Sequence, residues 1–278
     1  MIKLVASDID GTLITEGTHE FPEELGVVID RLKNLGIMFV AASGRQYKSM
    51  YRLFKEKADD VVFVAGNGSY IRCRDYDIKE HRIPKESLEV LIKELRAMQK
   101  QGYCFVAESK ATAYVETDSE EFKNLLVNGY HYEITQVRDI LEECDDVLKI
   151  SLYHKTEIQA AADKMLLEWQ GRLKVLRSGT NWVDFMPSGV DKGSAIASIQ
   201  QVMGIRKEET MVFGDNSNDV GMFAQAKYSF AVENAAKEVQ KQAAHLAGGP
   251  EKQGVIHLLQ QVAEQLEQER KQTELEKR

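Results

Sequence analysis

The chain has 278 residues, 43% of them apolar and 29% charged, which fits one large or two moderate domains with a substantial core and excludes a disordered chain. Its formal net charge of -8 argues against a nucleic-acid or anionic-membrane partner, either of which would select a basic face.

An apolar run over residues 2–6 leads into Asp8-Ile9-Asp10-Gly11-Thr12-Leu13. This reads as a buried parallel strand that delivers carboxylates at its C-terminal edge, where open α/β sheets place their chemistry. Side chains alternate along a strand, so Asp8 and Asp10 start on one face, and Gly11 lets the chain turn away. Two clustered anions call for a cation or a shared proton, and an oxygen-ligated Mg2+ is the simplest relief. Taken alone, the two acids fit a solvated strand end equally well.

Residues 16–21 read as a polar loop. Pro22, Glu23 and Glu24 suit a helix start, and Leu25, Val28, Ile29, Leu32 and Leu35 follow at helical spacing up to Gly36. A second buried strand over 37–42 ends in Ser43-Gly44-Arg45. A helix containing Tyr47, Met50, Tyr51 and Phe54 comes next, then a third strand over 61–65 that ends in Gly66-Asn67-Gly68. This alternation predicts a parallel, right-handed sheet with a shared site at its strand ends.

From Tyr70 to Ile83 the residues alternate and carry charge, as in a half-exposed antiparallel pair. Pro84 opens a helix over 85–101. Strands are predicted at 103–107, 113–116, 147–153, 173–178 and 182–186, with helices at 120–128 and 157–170. Gly179-Thr180-Asn181 forms a hairpin turn between the last two strands. The chain therefore divides into a first core segment (1–83), an inserted α+β segment (84–186) and a second core segment (187–278).

The second core segment returns to the doubly wound pattern, with a helix at 192–203, a strand at 210–213, a short helix at 218–226, a strand at 228–232 and a helix at 235–244. In the tail, Val255, Ile256, Leu258, Leu259, Val262 and Leu266 recur at helical spacing and should pack on the core, and the charged run beyond them should be solvated.

The strand at 210–213 runs into Gly214-Asp215-Asn216-Ser217-Asn218-Asp219. Asp215 and Asp219 are four apart, so on a starting helix they would stand one turn above each other. A helix N-cap and a helix-face acid would explain each singly. That explanation does not account for a second strand ending in paired carboxylates.

Asp8-Ile9-Asp10-Gly11-Thr12-Leu13, Ser43-Gly44-Arg45, Lys192 within Gly189-Val190-Asp191-Lys192-Gly193, and Gly214-Asp215-Asn216-Ser217-Asn218-Asp219 together resemble the haloacid dehalogenase superfamily, with the spacing of its Cof-type sugar-phosphatase branch. The resemblance covers essentially the whole chain. It implies a Rossmann-like doubly wound core with an inserted cap, and an insertion after the third strand is the type-IIB α+β cap, which carries substrate specificity. It also implies a Mg2+-dependent phosphatase of small phosphorylated metabolites, either sugar or cofactor phosphates. Asp8 would be the nucleophile, forming an aspartyl-phosphate, and Asp10 the general acid and base. Ser43, Gly44, Lys192 and Asn218 would bind the phosphoryl group. Asp8, Asp10 through its backbone carbonyl, Asp215 and Asp219 would hold the metal. A hexose phosphomutase and a catalytically silent phosphate-binding protein are the alternatives. Ser43 also fits a helix N-cap, but a lysine at a helix start, as at Lys192, is unfavourable unless an anion sits beside it.

Three cysteines, Cys73, Cys104 and Cys144, and six scattered histidines offer neither a disulfide framework nor a zinc spacing. No apolar stretch approaches the roughly 18 residues of a membrane helix, and the early acids interrupt any signal-peptide pattern. The expectation is a cytoplasmic enzyme with a small phosphate ester as its partner, no nucleic acid or membrane, and a monomeric or weakly dimeric state.

Overall fold

A computed structural model describes residues 1–18, 20–178 and 180–276. The first segment runs β1 (Leu4–Asp8), α1 (Glu23–Asn34), β2 (Met38–Ala42), α2 (Tyr47–Phe54), β3 (Val61–Ala65), β4 (Tyr70–Cys73) and β5 (Tyr76–Glu80). The middle follows with α3 (Lys85–Met98), β6 (Cys104–Glu108), β7 (Ala113–Val115), α4 (Glu120–Asn124), β8 (Ile134–Gln136), α5 (Ile140–Glu143), β9 (Lys149–Tyr153), α6 (Ile158–Trp169), β10 (Leu173–Ser178) and β11 (Trp182–Pro187). The last segment is α7 (Lys192–Met203), β12 (Thr210–Gly214), α8 (Val220–Ala224), β13 (Tyr228–Val232), α9 (Lys237–Gln240), β14 (His245–Ala247) and α10 (Gly254–Glu276).

The first and last segments share one sheet in the order β14-β13-β12-β1-β2-β3-β4-β5. From β14 to β3 all pairings are parallel, and β4 and β5 add an antiparallel edge. β1, β3 and β12 are buried along their whole length, as expected for strands covered by helices on both faces. The chain winds outward from β1 through β2 to β3, and later returns to place β12 on the other side of β1. The winding direction therefore switches between β1 and β12, and the acids that follow both strands meet at that switch point.

The middle segment forms its own sheet in the order β10-β11-β9-β6-β7-β8, antiparallel except for β7 with β8. One face buries Leu88, Leu91, Leu95, Met165, Trp169 and Phe185 under α3 and α6. At roughly 1.5–3 kcal/mol per buried large side chain, this face can sustain a core separate from that of the first sheet. Val106, Val115, Phe122 and Leu126 form a smaller cluster joined by the partly exposed Tyr153 and Trp182.

The chain around β8 also rests on α2. Gln46 accepts from the Glu133 amide at 3.1 Å, Ser49 Oγ donates to the Tyr130 carbonyl at 3.0 Å, and Lys48 and Arg52 both pair with Glu133.

Several predicted bounds shift. The helix over 120–128 ends at Asn124 and continues as a π-helical turn, Leu125–Gly129. The helix over 235–244 contracts to four residues, because the chain straightens to add β14 at the sheet edge. β8, α5 and β14 have three or four residues each, too few to show a period in the sequence. β10 and β11 pair as the hairpin pattern indicates, although Gly179 of the predicted turn lies outside the described residues. In the tail, Val255, Ile256, Leu259 and Ala263 of α10 are buried, and Arg31 of α1 clasps Glu267 at 2.9 and 3.0 Å. Among the described residues, no helix is long and apolar enough to cross a membrane.

Candidate active site

Asp8 is the last residue of β1 and is 5% exposed. Just beyond it, Gly11 turns the chain at φ 80°, and a Cβ there would press on the Asp215 carboxylate. A glycine at this point therefore serves both the turn and the approach of the second motif. Thr12 Oγ1 donates to Asp215 Oδ1 at 3.1 Å, which fixes one oxygen of that carboxylate.

Lys192 opens α7 and is 1% exposed. Its Nζ lies 2.5 Å from Asp8 Oδ1 and 2.7 Å from Asp219 Oδ1. The anions beside this helix start are thus the protein's own carboxylates. Asp191 serves as the N-cap, accepting from the Ser194 amide at 2.7 Å.

Asp219 does not stand one turn above Asp215 as a helix-face acid. Asn216 is the N-cap of the short turn here, and Asp219 reaches back so that its Oδ2 accepts from the amides of Asp215 and Asn216, each at 3.0 Å. Both Asp219 oxygens are therefore engaged, one by Lys192 and one by the backbone.

Asp8, Asp215 and Asp219 bring carboxylate oxygens within 4.8 Å of one another. Burial, joined by the nearby charges of Asp219, Asp215 and Asp10, raises the Asp8 pKa well above the usual carboxylate range despite the opposing effect of Lys192. Asp215 is pushed up to about 6 by burial first and by Asp219 second, with Lys192 and Thr12 opposing. Burial works against the charge on Lys192, but Asp219 and Asp8 outweigh it and hold its pKa above that of an ordinary lysine. Three carboxylates around one ammonium leave an excess of buried negative charge on hard oxygen donors, a donor set that suits Mg2+. Asp8 and Asp215 have oxygens to offer, and Asp219 buttresses them.

Asp10 stands beyond the strand and is gripped by Arg45, from Nε to Oδ2 at 2.8 Å and from Nη2 to Oδ1 at 2.5 Å. Ser43 is not the N-cap of α2, a position that Gln46 occupies. Instead Ser43 Oγ accepts from the Arg45 amide at 3.1 Å, which makes a tight turn directly after β2. Asn218 donates to Asn67 Oδ1 at 3.0 Å, and its own Oδ1 is buried without a hydrogen-bond partner.

A cleft of about 430 Å³ lies between the two sheets. Asp8, Asp10, Ser43, Gly44, Asp215 and Asn218 line it from the first sheet. Leu125, Tyr130, Lys149, Trp182 and Asp184 line it from the second. Trp182 Nε1 donates to the Tyr130 hydroxyl at 3.0 Å, and their rings meet edge to face. The sequence motifs thus converge on one place. The roles of Arg45, Asn67, Lys149 and Asp184 were not read from the sequence. For the last two a signal existed: charged residues inside otherwise apolar strands must find partners when buried.

The profile of the haloacid dehalogenase-like hydrolases matches residues 5–259. The 5-amino-6-(5-phospho-D-ribitylamino)uracil phosphatase of Escherichia coli (strain K12) is 29% identical over 263 residues, which is 94% of this chain and 96% of that protein. A crystal structure from Eubacterium rectale superposes with a TM-score of 0.85 at 28% identity, covering 94% of this chain and 99% of the other. A sugar phosphatase of subclass IIB of the same superfamily shares the fold with a TM-score of 0.79 at 24% identity, covering 94% and 98%. The chain is an enzyme of the haloacid dehalogenase-like hydrolase family.

Proposed function

We propose that this enzyme is a Mg2+-dependent phosphatase that hydrolyses small phosphorylated metabolites through an aspartyl-phosphate on Asp8. The observation that carries this reading is the convergence on one cleft of a buried carboxylate against Lys192, a second carboxylate oriented by Arg45, and an excess of acid at a sheet switch point.

An Asp8 oxygen attacks phosphorus, and the bond from phosphorus to the ester oxygen breaks. The departing alkoxide takes a proton from Asp10. Asp10 then takes a proton from a water that attacks the same phosphorus, releasing inorganic phosphate and restoring Asp8. Splitting the displacement in this way replaces one hard step with two easier ones. Ser43, the Gly44 amide, Lys192 and Asn218 steady the phosphoryl oxygens, since phosphoryl transfer depends chiefly on positioning and charge compensation. Mg2+, held by Asp8, the Asp10 carbonyl and Asp215 with Asp219 behind, would offset the repulsion between an anionic nucleophile and an anionic ester.

The second sheet acts as the cap over the leaving group, with residues 84–186 as its span. Its Leu125, Tyr130 and Trp182 wall suits an ester whose leaving group has apolar or planar surface, and the Escherichia coli relative is named for such a compound. The test is inorganic phosphate release from a panel of sugar and cofactor phosphates with Mg2+, alongside Asp8→Asn. Release from one group of esters that disappears in the variant supports the reading. Release that persists in the variant refutes Asp8 as nucleophile.

A further inference from the structure

Two of the groups proposed to bind phosphate are aimed from the opposite sheet. Lys149 is the first residue of β9 and is 3% exposed. Its Nζ donates to Gly44 O at 2.7 Å, and it stands 2.8 Å from Glu108 Oε1 and 3.5 Å from Asp184 Oδ2. An ammonium has three protons, and three oxygens take them. Lys149 is thereby committed to the protein, and its connection to the core runs through the Gly44 carbonyl.

That carbonyl belongs to the peptide joining Gly44 to Arg45, whose N–H donates to Ser43 Oγ. With the plane of this peptide pinned at its oxygen by Lys149, the Ser43 hydroxyl oxygen is held as an acceptor from behind. Its own proton is left for the cleft.

A second relay runs through Asp184 of β11, which is 2% exposed. It accepts from Ser151 Oγ at 2.7 Å, Ser178 Oγ at 3.0 Å and Asn67 Nδ2 at 3.2 Å. A carboxylate in such a nest only accepts, so Asn67 must turn its nitrogen toward it and its oxygen the other way. Asn218 Nδ2 donates to that oxygen. The orientation of the Asn218 amide is thus dictated by a charge on the other sheet. Its nitrogen keeps a second N–H to give in a residue that lines the cleft, while its oxygen is left buried without a partner. An orphaned buried acceptor is unfavourable, and the relay imposes it.

We propose that Lys149 and Asp184 are positioning residues through which the second sheet completes the phosphate cradle. Lys149 sets the Ser43 hydroxyl through the Gly44–Arg45 peptide, and Asp184 sets the Asn218 amide through Asn67. The cradle is then in register for transfer only while the second sheet is docked. This inference rests on the phosphatase reading for its kinetic consequence but not for its binding consequence.

The experiment compares the full chain with Asn67→Gly, with Lys149→Met combined with Glu108→Gln, and with Lys149→Arg. Asn67 sits at φ 55°, which glycine adopts freely, so the first variant cuts one relay without straining the backbone. The second removes one charge of each sign and leaves Asp184 held by its hydroxyl and amide donors, Ser151, Ser178 and Asn67. The expected result is a kcat on p-nitrophenyl phosphate lowered about 10–100-fold in the first two variants with KM changed less, as for lost transition-state donors. Inhibition by inorganic phosphate should weaken about tenfold, Asn67→Gly should stay folded with a lowered melting temperature because Asp184 and Asn218 each lose a partner, and Lys149→Arg should recover part of the rate. If kcat and phosphate inhibition stay within twofold of the parent in the first two variants, the proposal is overturned. If the parent releases no phosphate at all, the phosphatase reading fails, and calorimetric titration with inorganic phosphate decides the matter. Weaker binding in the two variants sustains the relay, and equal binding, or none in the parent, overturns it.

Discussion

Arg45 holds Asp10 through both carboxylate oxygens, at 2.8 and 2.5 Å, from a turn that follows a different strand. The side chain proposed to move protons therefore has its direction set by a planar, two-pronged donor.

Arg45→Ala should lower kcat by about 10–100-fold, within the range that general acid–base catalysis supplies, with a smaller change in KM. Arg45→Lys should not restore the rate, because an ammonium cannot make the same pair of parallel bonds. Steady-state kinetics on any accepted ester check this. A rate in Arg45→Ala equal to that of the parent would remove Arg45 from the orienting role.

Asp8→Asn should abolish turnover while making the metal-free protein harder to unfold. Burial and three neighbouring carboxylates disfavour the Asp8 anion, and an amide relieves that conflict. Each kcal/mol recovered should raise the melting temperature by about 2–4 °C in a chain of this size. Scanning calorimetry in EDTA gives the sign. A lower melting temperature in the variant would show that the contact with Lys192 outweighs the crowding.

The same crowding predicts a pH dependence. Asp215 sits at about 6 in the folded chain against an ordinary 3.8, so between those values the native state binds more protons than the unfolded one. Stability in EDTA should therefore fall as pH rises through that window, and Asp8 acts in the same direction. Mg2+ should reverse the trend by favouring the anions, raising the melting temperature more at pH 7.5 than at pH 5. Asp215→Asn should flatten the slope in EDTA. A metal-free melting temperature that climbs over this range, with no change in slope in Asp215→Asn, would count against the carboxylate cage.

Gly193→Ala should damage both stability and rate. A Cβ at Gly193 would run into the backbone of Gly221, where α7 and α8 pack closely, and the displaced turn carries Lys192. Overpacking of this kind costs about 1–3 kcal/mol, so the melting temperature should drop by several degrees and kcat with it. Normal values for both would mean that the helices part without moving Lys192.

How much of this was legible beforehand follows from what each residue's partners are. β1, β2, β3 and β12 announce themselves as apolar runs that end in small, polar or acidic residues, and α7 keeps its predicted bounds of Lys192 and Met203. The placing of Asp8, Ser43 and Asp215 at or just past strand ends, and of Lys192 at the start of α7, is legible as pattern. Asp219 was misplaced because its carboxylate folds back onto the amides of Asp215 and Asn216, a choice made by capping geometry rather than by helical period. Lys149 is not legible because its partner Gly44 lies 105 residues earlier in the chain, and nothing adjacent to a lysine in an apolar strand says which carbonyl it will meet.

The β4–β5 hairpin returns the chain to Ser69, where the His81 amide donates to the Ser69 carbonyl at 2.8 Å just before the inserted segment, and a Cβ on the adjacent Gly68 would strike the backbone of Asp191, just after it. The two ends of the insertion are therefore pinned together on the core, and the middle segment leaves and returns at one place. A loop whose ends already touch adds little closure cost as it lengthens, since that cost grows only with the logarithm of its length. The first sheet is thus indifferent to the size of what is spliced in at this point. On the phosphatase reading, the part that meets the leaving group can vary without unpicking the first sheet, provided that the cross-sheet contacts of Lys149 with Gly44 and of Asp184 with Asn67 are kept.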